Sequence, residues 1–268
     1  MSGSKRKKRI LKDEKNIFVY LFWMLVNTIL IAWRFKKYVV IGRENLPKSG
    51  PFLLVSNHIT RWDGLVVYKL IGRPTNFMVS PNELVGLQGR VLVSMGSFPA
   101  DPRAELINHS LNLFAKGQGI VVFPEGNIFQ DDNTHHFKTG AAKIAIAAAE
   151  AGFDLPIIPL AINYADDGKI AQLVLGTPVS ASEYAEGAIA SNEAHSKQMR
   201  ALTDRLYREV CHLRASLGNI ADRQALLASP IRRRFAVCTA NDAAVNSSMA
   251  SIPREDRAVV AELDRQAG

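Results

Sequence analysis

Short apolar runs alternate with stretches of helical period through the middle of the chain. "YVVI" (38–41), "FLLVS" (52–56), "TNFMVS" (75–80), "QGIVVF" (118–123), "LPIIPLAINY" (155–164) and "IAQLVL" (170–175) have the length and turn-residue boundaries of strands. "VLVSM" (91–95) reads as a further strand, led in by a short helix. Between them, "DGLVVYKLIG" (63–72), "RAELINHSLNLFAKG" (103–117) and the alanine-rich "TGAAKIAIAAAEAG" (139–152) read as helices, the latter two closed by Gly117 and Gly152. Pro156 and Pro159 read as strand boundaries. Strands alternating with helices predict an α/β fold with a mixed, largely parallel sheet flanked by helices. The pattern changes near Ala185: 191–218 reads as one charged amphipathic helix, and the stretch after Ser229 is loop-rich, with the composition of a partly disordered extension.

Charge changes this picture at the start of the chain. The net charge is +8, and much of it sits in Lys5, Arg6, Lys7, Lys8, Arg9, Lys12 and Lys15. An uncharged run, Ile17 to Trp33, follows and is closed by Arg34, Lys36 and Lys37. As a helix it rises about 25 Å, slightly less than a hydrocarbon core of roughly 30 Å. A spanning helix, a helix lying in the bilayer surface and a buried core helix all fit that length. The basic flanks favour membrane attachment over the core, since anionic headgroups attract Lys and Arg beside an apolar layer. A cleaved signal peptide is disfavoured, because cations rather than small residues follow the run. The organisation expected is a basic arm and membrane-associated helix (1–37), an α/β domain (38–230) and a C-terminal extension (231–268). Cys211 and Cys238 are the only cysteines, which supports neither a disulfide framework nor a zinc site and fits a reducing cytosolic setting.

In such a sheet, ligands bind beyond the strand ends. "NHITRWD" follows "FLLVS", "GSFPADPR" follows "VLVSM", and "PEGNIF" follows "GIVVF". His58 and Asp63 are five residues apart, too far to be neighbours on one helix face. If His58 lies on the loop before a helix and Asp63 in its first turns, the carboxylate can hold one ring nitrogen while the other takes a proton from an incoming hydroxyl. That is the base-and-orienter half of a hydrolase triad. No G-x-S-x-G occurs in the chain, so the nucleophile would be the substrate's own hydroxyl. In isolation this spacing is more often structural: a His at a helix start and an Asp in its first turn.

The spacing is not isolated. "NHITRWD", "GSFPADPR", "FPEGN" and "LPIIPLAI" stand in the order and approximate spacing of four motifs of glycerolipid acyltransferases, and from Val40 to Pro178 the chain resembles the 1-acylglycerol-3-phosphate acyltransferases. The resemblance implies the family's α/β fold and direct transfer of a fatty acyl group from acyl-CoA or acyl carrier protein to a lipid hydroxyl, giving phosphatidic acid when the acceptor is lysophosphatidate. It implies His58 as general base and Asp63 as its orienter, with Asn57, Arg103, Glu125, Gly126 and Lys138 binding substrate or shaping its site; Asn57 could instead hold the loop by hydrogen bonds. No metal or other cofactor is implied. The active site would face the cytoplasm, where the thioester donors are.

Two departures bear on the acceptor. The family's second motif ends Asp-Arg, whereas here Pro102 intervenes and Arg103 comes one residue late. The third motif commonly continues Thr-Arg-Ser, whereas here Asn127-Ile128-Phe129 follow. Since a phosphate dianion wants two or more cations, Arg103, Lys138 and Arg61 are the candidates. A lysophospholipid with a larger headgroup or a neutral lipid alcohol stays open as acceptor. "DDNTHH" (131–136) has metal-ligating residue types, but adjacent histidines seldom converge on one ion, and a surface loop is the expectation. A non-catalytic protein binding anionic lipid would share the basic arm. Nucleic acid is disfavoured, because the strongest cation cluster abuts the apolar run and no recognition motif stands out. The sequence sets no oligomeric state.

Overall fold

The inner strands bury both faces, as strands inside a helix-flanked sheet must, whereas the edge strand Lys37–Ile41 is only partly buried. In order along the chain the strands are β1 (Lys37–Ile41), β2 (Phe52–Ser56), β3 (Thr75–Val79), β4 (Ser97–Pro99), β5 (Gly119–Val122), β6 (Ile157–Ala165) and β7 (Ile170–Leu175). The structure is a computed structural model that describes residues 11–101, 105–129, 133–153, 155–188 and 191–217. The basic residues Lys5 to Arg9, Arg103, Asp131, Asp132, Cys238 and the extension 231–268 lie outside the described residues.

The strands form one sheet in the order β1-β7-β6-β2-β5-β3-β4. Every ladder is parallel except the β6–β7 hairpin. The mixed, largely parallel sheet flanked by helices is therefore as expected. The hairpin turns through Asp166, Asp167 and Gly168, all at positive φ, the conformation whose twist matches that of paired strands. β2, the central strand, shows the period of two that splits the core. Leu53 and Val55 face one apolar layer, and Phe52 and Leu54 the other.

The first layer is covered by α4 (Leu106–Ala115), α5 (Gly140–Glu150), α6 (Ser182–Ala188) and α7 (Asn192–Ser216). Buried alanines at 141, 142, 145 and 148 let α5 lie close to the sheet. α7 buries Leu202, Leu206, Val210 and Leu213, a stripe at helical spacing. The charged amphipathic helix is thus packed on the sheet, with most of its charged residues outward and Thr203, His212, Arg214 and Ser216 buried. Cys211 is buried in the same helix.

The second layer is covered by α1 (Ile17–Arg34), α2 (Trp62–Ile71) and α3 (Gly86–Ser94). α3 corrects one expectation: Val91 to Ser94 are helical, and the strand is the shorter Ser97–Pro99. An apolar run of that length has no period of its own, and its packing decides. Pro159 is a second correction. It lies inside β6, opposite Val55, rather than at its boundary. The antiparallel ladder to β7 begins only at Leu160, so the missing Pro159 N–H breaks no bond of that ladder.

α1 is held to the domain along one narrow stripe. Tyr20 donates to Arg73 O at 2.6 Å, Asn27 Nδ2 to Leu65 O at 2.9 Å, and Arg34 Nη1 to Gly168 O at 2.8 Å. Just before it, the half-buried Lys15 ammonium donates to Asn76 Oδ1 (2.8 Å) and Gln118 Oε1 (2.7 Å). Only 17% of the helix is buried. Phe18 is 80% and Trp33 81% exposed, with Leu21, Phe22, Leu25 and Ile29 exposed between them. A core helix is excluded by that pattern.

Because Leu206 is fully buried under the sheet, Leu206→Ala should lower the unfolding free energy by about 2–5 kcal/mol. Urea titration followed by circular dichroism measures it, and an unchanged midpoint would remove α7 from the cooperative unit.

Candidate active site

β2 and β5 are parallel neighbours, with Val55 opposite Val122, so the segments that leave them emerge side by side at the carboxyl end of the sheet. The first carries Asn57 and His58, and the second Pro124, Glu125 and Gly126. α2 begins four residues after His58, and Asp63 is its second residue. The loop between curls around the Asp63 carboxylate. Oδ2 receives the backbone N–H of Ile59 at 2.6 Å and of Thr60 at 2.9 Å, and lies 2.7 Å from His58 Nδ1. Oδ1 receives the Thr60 hydroxyl at 3.2 Å and the Tyr164 hydroxyl at 2.7 Å. Asp63 is fully buried. Its charge is offset by these donors and by the amino end of α2, where the helix dipole favours a negative group.

This arrangement fixes the imidazole. With a carboxylate 2.7 Å away, Nδ1 carries the proton and donates, which leaves Nε2 with its lone pair. The ring lies flat against Phe123, with centroids 4.4 Å apart, and the side chain is 20% exposed. Nε2 makes no hydrogen bond among the described residues. The result is an oriented base, open on one side, whose partner is immobilised from five directions.

Glu125 holds the His58 backbone rather than its ring, since Oε1 accepts the His58 N–H at 3.0 Å. The carboxyl is buried, and that burial pushes its pKa up. The backbone N–H groups of His58 and His135, followed by the charges of His135 and Arg214, pull it down. Gly126 has φ 70°, a backbone conformation that calls for glycine, and a Cβ there would meet the movable end of the Lys138 side chain. The exposed Lys138 ammonium therefore lies over the Glu125-Gly126 turn, and its own backbone N–H donates to Pro124 O at 2.8 Å.

Asn57, expected to bind substrate or to hold the loop by hydrogen bonds, does the second: it is fully buried and both halves of its amide are used on one residue. Nδ2 donates to Ile162 O at 3.0 Å, and Oδ1 accepts the Ile162 N–H at 2.8 Å. It extends the β2–β6 pairing past the strand end and holds the loop, presenting no polar group to a ligand. Arg61 is exposed and reaches Glu83 at 3.4 Å. The 100–101 segment leaves β4 at the same sheet end, with Ala100 N bonded to Val79 O; Arg103 beyond it is outside the described residues. His135 and His136 turn to different neighbours, His135 stacking on Phe129 and His136 meeting Tyr207.

Tyr164 escaped the sequence reading. It lies two residues after Ile162 on β6, hence on the same face of the strand, and its hydroxyl closes the Asp63 shell from the far side. The only sequence signal was an aromatic with a polar tip at the end of an otherwise apolar strand. Phe123, the platform under His58, was visible only as the last apolar residue of its run.

An acyltransferase family model matches residues 37–163. Several relatives carry the name 1-acyl-sn-glycerol-3-phosphate acyltransferase. The one from Borreliella burgdorferi is 23% identical over 54% of this chain and 58% of its own length. That of Chlamydomonas reinhardtii is 29% identical over 58% and 47%, and the chloroplastic one of Brassica napus is 30% identical over 54% and 41%. The chain thus spans about half the length of the curated relatives it matches. In fold it is similar to the crystal structure of the 1-acyl-sn-glycerophosphate acyltransferase PlsC of Thermotoga maritima, with a TM-score of 0.52 at 20% identity over 73% of this chain and 80% of that one.

The tautomer follows from Asp63 alone, so Asp63→Asn should shift the His58 imidazole toward a mixture of Nδ1–H and Nε2–H forms. Nitrogen-15 NMR of the histidine ring reads this directly. A ring spectrum identical to that of the wild type would mean that Asp63 does not set the tautomer.

Proposed function

We propose that the chain is a member of the glycerolipid acyltransferases and moves a fatty acyl group from a thioester to the free hydroxyl of 1-acylglycerol-3-phosphate, forming phosphatidic acid. One observation carries the chemistry: His58 Nδ1 bonded to a fully buried Asp63, with Nε2 open at the sheet's carboxyl end. The acceptor hydroxyl gives its proton to Nε2 as its oxygen attacks the thioester carbonyl. The tetrahedral intermediate collapses, the C–S bond breaks, and the proton passes from Nε2 to the leaving thiolate. Asp63 stabilises the imidazolium between the two steps without taking its proton. No protein acyl intermediate is needed. General-base help of this kind supplies about 10²- to 10⁴-fold.

The donor is acyl-CoA or acylated carrier protein, both thioesters of the same phosphopantetheine thiol chemistry. Lys138, exposed over Gly126, is the described cation best placed for the acceptor phosphate. Because the third motif lacks its usual arginine, a lysophospholipid with a larger headgroup, or a neutral lipid alcohol, is the second reading of the acceptor.

The exposed face of α1 supports attachment to a membrane. The stripe holding Tyr20, Asn27 and Ile31 is committed to the domain, so the remaining apolar face is the one that meets lipid. A helix tied along its length to a folded domain lies in the interface plane, its apolar side in the acyl boundary and its basic flanks at the headgroups. The active site then faces the cytoplasm, the compartment of both donors.

Purified protein in vesicles, given either donor and, in separate assays, lysophosphatidate, lysophosphatidylcholine or diacylglycerol, should acylate lysophosphatidate to phosphatidic acid, read by mass spectrometry. His58→Ala should lower the rate by about 10²- to 10⁴-fold. Transfer only to another acceptor would keep the mechanism and replace the substrate; no transfer by the wild type to any of them would leave a lipid-binding protein. Separately, Leu25→Glu with Ile29→Glu should release the folded protein from anionic vesicles in flotation, and retained binding would mean that α1 is not the anchor.

A further inference from the structure

The last turns of α7 reach the floor of the site from the opposite layer. Arg214 is 7% exposed, and a guanidinium so buried needs acceptors. Its Nη1 donates to Thr134 Oγ1 at 3.2 Å. Tyr207 lies seven residues earlier, two turns away on the same face of α7, and donates its hydroxyl to Thr134 O at 3.0 Å. Its ring also packs against His136 and Phe137. Thr134 is therefore gripped by side chain and backbone at once.

The gripped segment, 133–138, leads to both polar groups of the His58 backbone. His135 stacks on Phe129 at 3.6 Å between centroids, and the Phe129 N–H donates to His58 O at 3.3 Å. Lys138 N–H holds Pro124 O, next to Glu125, whose Oε1 accepts the His58 N–H. We infer that Arg214 is a positioning residue for His58: with Tyr207 it fixes the 133–138 segment, and through that segment it keeps Glu125 and Phe129 on the two backbone groups of the base. This rests on the proposed acyl-transfer reading for its kinetic consequence, but not for its geometry.

Electrostatics adds a readout that packing alone does not give. The groups facing Glu125 are His58 with its partner Asp63 from the β2–α2 loop, His135 and Lys138 from the 133–138 segment, and Arg214 from α7. Burial pushes the Glu125 carboxyl up, and the Arg214 charge is among the influences that oppose it. Without that charge the carboxyl takes its proton at a higher pH and ceases to be a charged acceptor for the His58 N–H. The acid limb of the rate profile should then move to higher pH.

The test compares wild type, Arg214→Gln and Arg214→Lys for kcat, KM and pH–rate profile, with hydrogen exchange of the His58 backbone amide followed by NMR. Arg214→Gln should lower kcat by roughly 10- to 100-fold, leave the donor KM nearly unchanged, move the acid limb up in pH and speed exchange of the His58 amide. Arg214→Lys, which keeps the charge, should restore the acid limb. If the wild type transfers no acyl group while Arg214→Gln still deprotects the His58 amide, the positioning role stands and acyl transfer falls. A folded Arg214→Gln protein with unchanged amide exchange and an unchanged acid limb overturns the inference. Should Arg214→Gln not fold, Thr134→Val, which removes the acceptor and keeps the guanidinium, carries the same expectation for amide exchange, and unchanged exchange of the His58 amide in it overturns the inference.

Discussion

A fully buried carboxylate, Asp63, organises this end of the molecule. Leaving such a charge unpaired in an apolar interior costs several kcal/mol, so the chain around it is arranged to donate. Five donors reach it: the His58 ring, two successive backbone N–H groups, the Thr60 hydroxyl and the Tyr164 hydroxyl. Four come from the loop before α2 and one from β6. The same contacts that neutralise the carboxylate therefore set the conformation of the loop, the entry of α2 and the tautomer of His58. Removing the charge would free all three, which is why the group that only orients the base is more deeply buried than the base itself.

The surroundings hold this loop from each neighbouring strand. Asn57 ties it to β6 through Ile162, and Glu125 ties it to the segment leaving β5. Phe35, directly after α1, stacks on Tyr164 and meets Trp62 edge-on, with the Arg34 guanidinium over the Phe35 and Trp62 rings. The exposed apolar helix is thus in continuous contact with the aromatic that holds Asp63. Anything that seats α1 also seats one wall of the dyad's shell.

Where local pattern decides, the sequence was legible. The buried strands announced themselves by short apolar runs between turn residues, α5 by its alanines, and His58 with Asp63 by their place among four motifs in order, since the spacing alone fits a structural role as readily. "VLVSM" misled because four apolar positions in five fit a strand and a helix turn equally, and only contact with α1 and the sheet selects the helix. Asn57 was half legible: a loop-holding role stood beside a ligand contact, and nothing local reveals that Ile162, 105 residues away, uses its whole amide. Tyr164 and Arg214 were hidden in the same way, since each acts across the tertiary structure on a residue far off in the chain. The state of Ile17 to Trp33 was undetermined by composition because a core helix and a lipid-facing helix have the same residues. Burial separates them: one stripe is committed and the rest is open.

On the proposed reading, the base alone falls short of what an enzyme must supply. General-base assistance of about 10²- to 10⁴-fold lies well below the 10⁶-fold or more typical of enzymes, so alignment of hydroxyl and thioester must provide much of the remainder. Well-oriented reactants reach effective concentrations of roughly 10⁵–10⁸ M. A lipid acceptor in a leaflet has already lost much of its orientational freedom, with its headgroup confined to one plane. α1 runs along α2 and ends beside Trp62, the residue before Asp63. A helix seated in that plane would hold His58 at a set height above it. The membrane would then act as part of the positioning machinery, and the rigid attachment of α1 to the domain, by Tyr20, Asn27 and Arg34, is what would transmit the bilayer's geometry to the base.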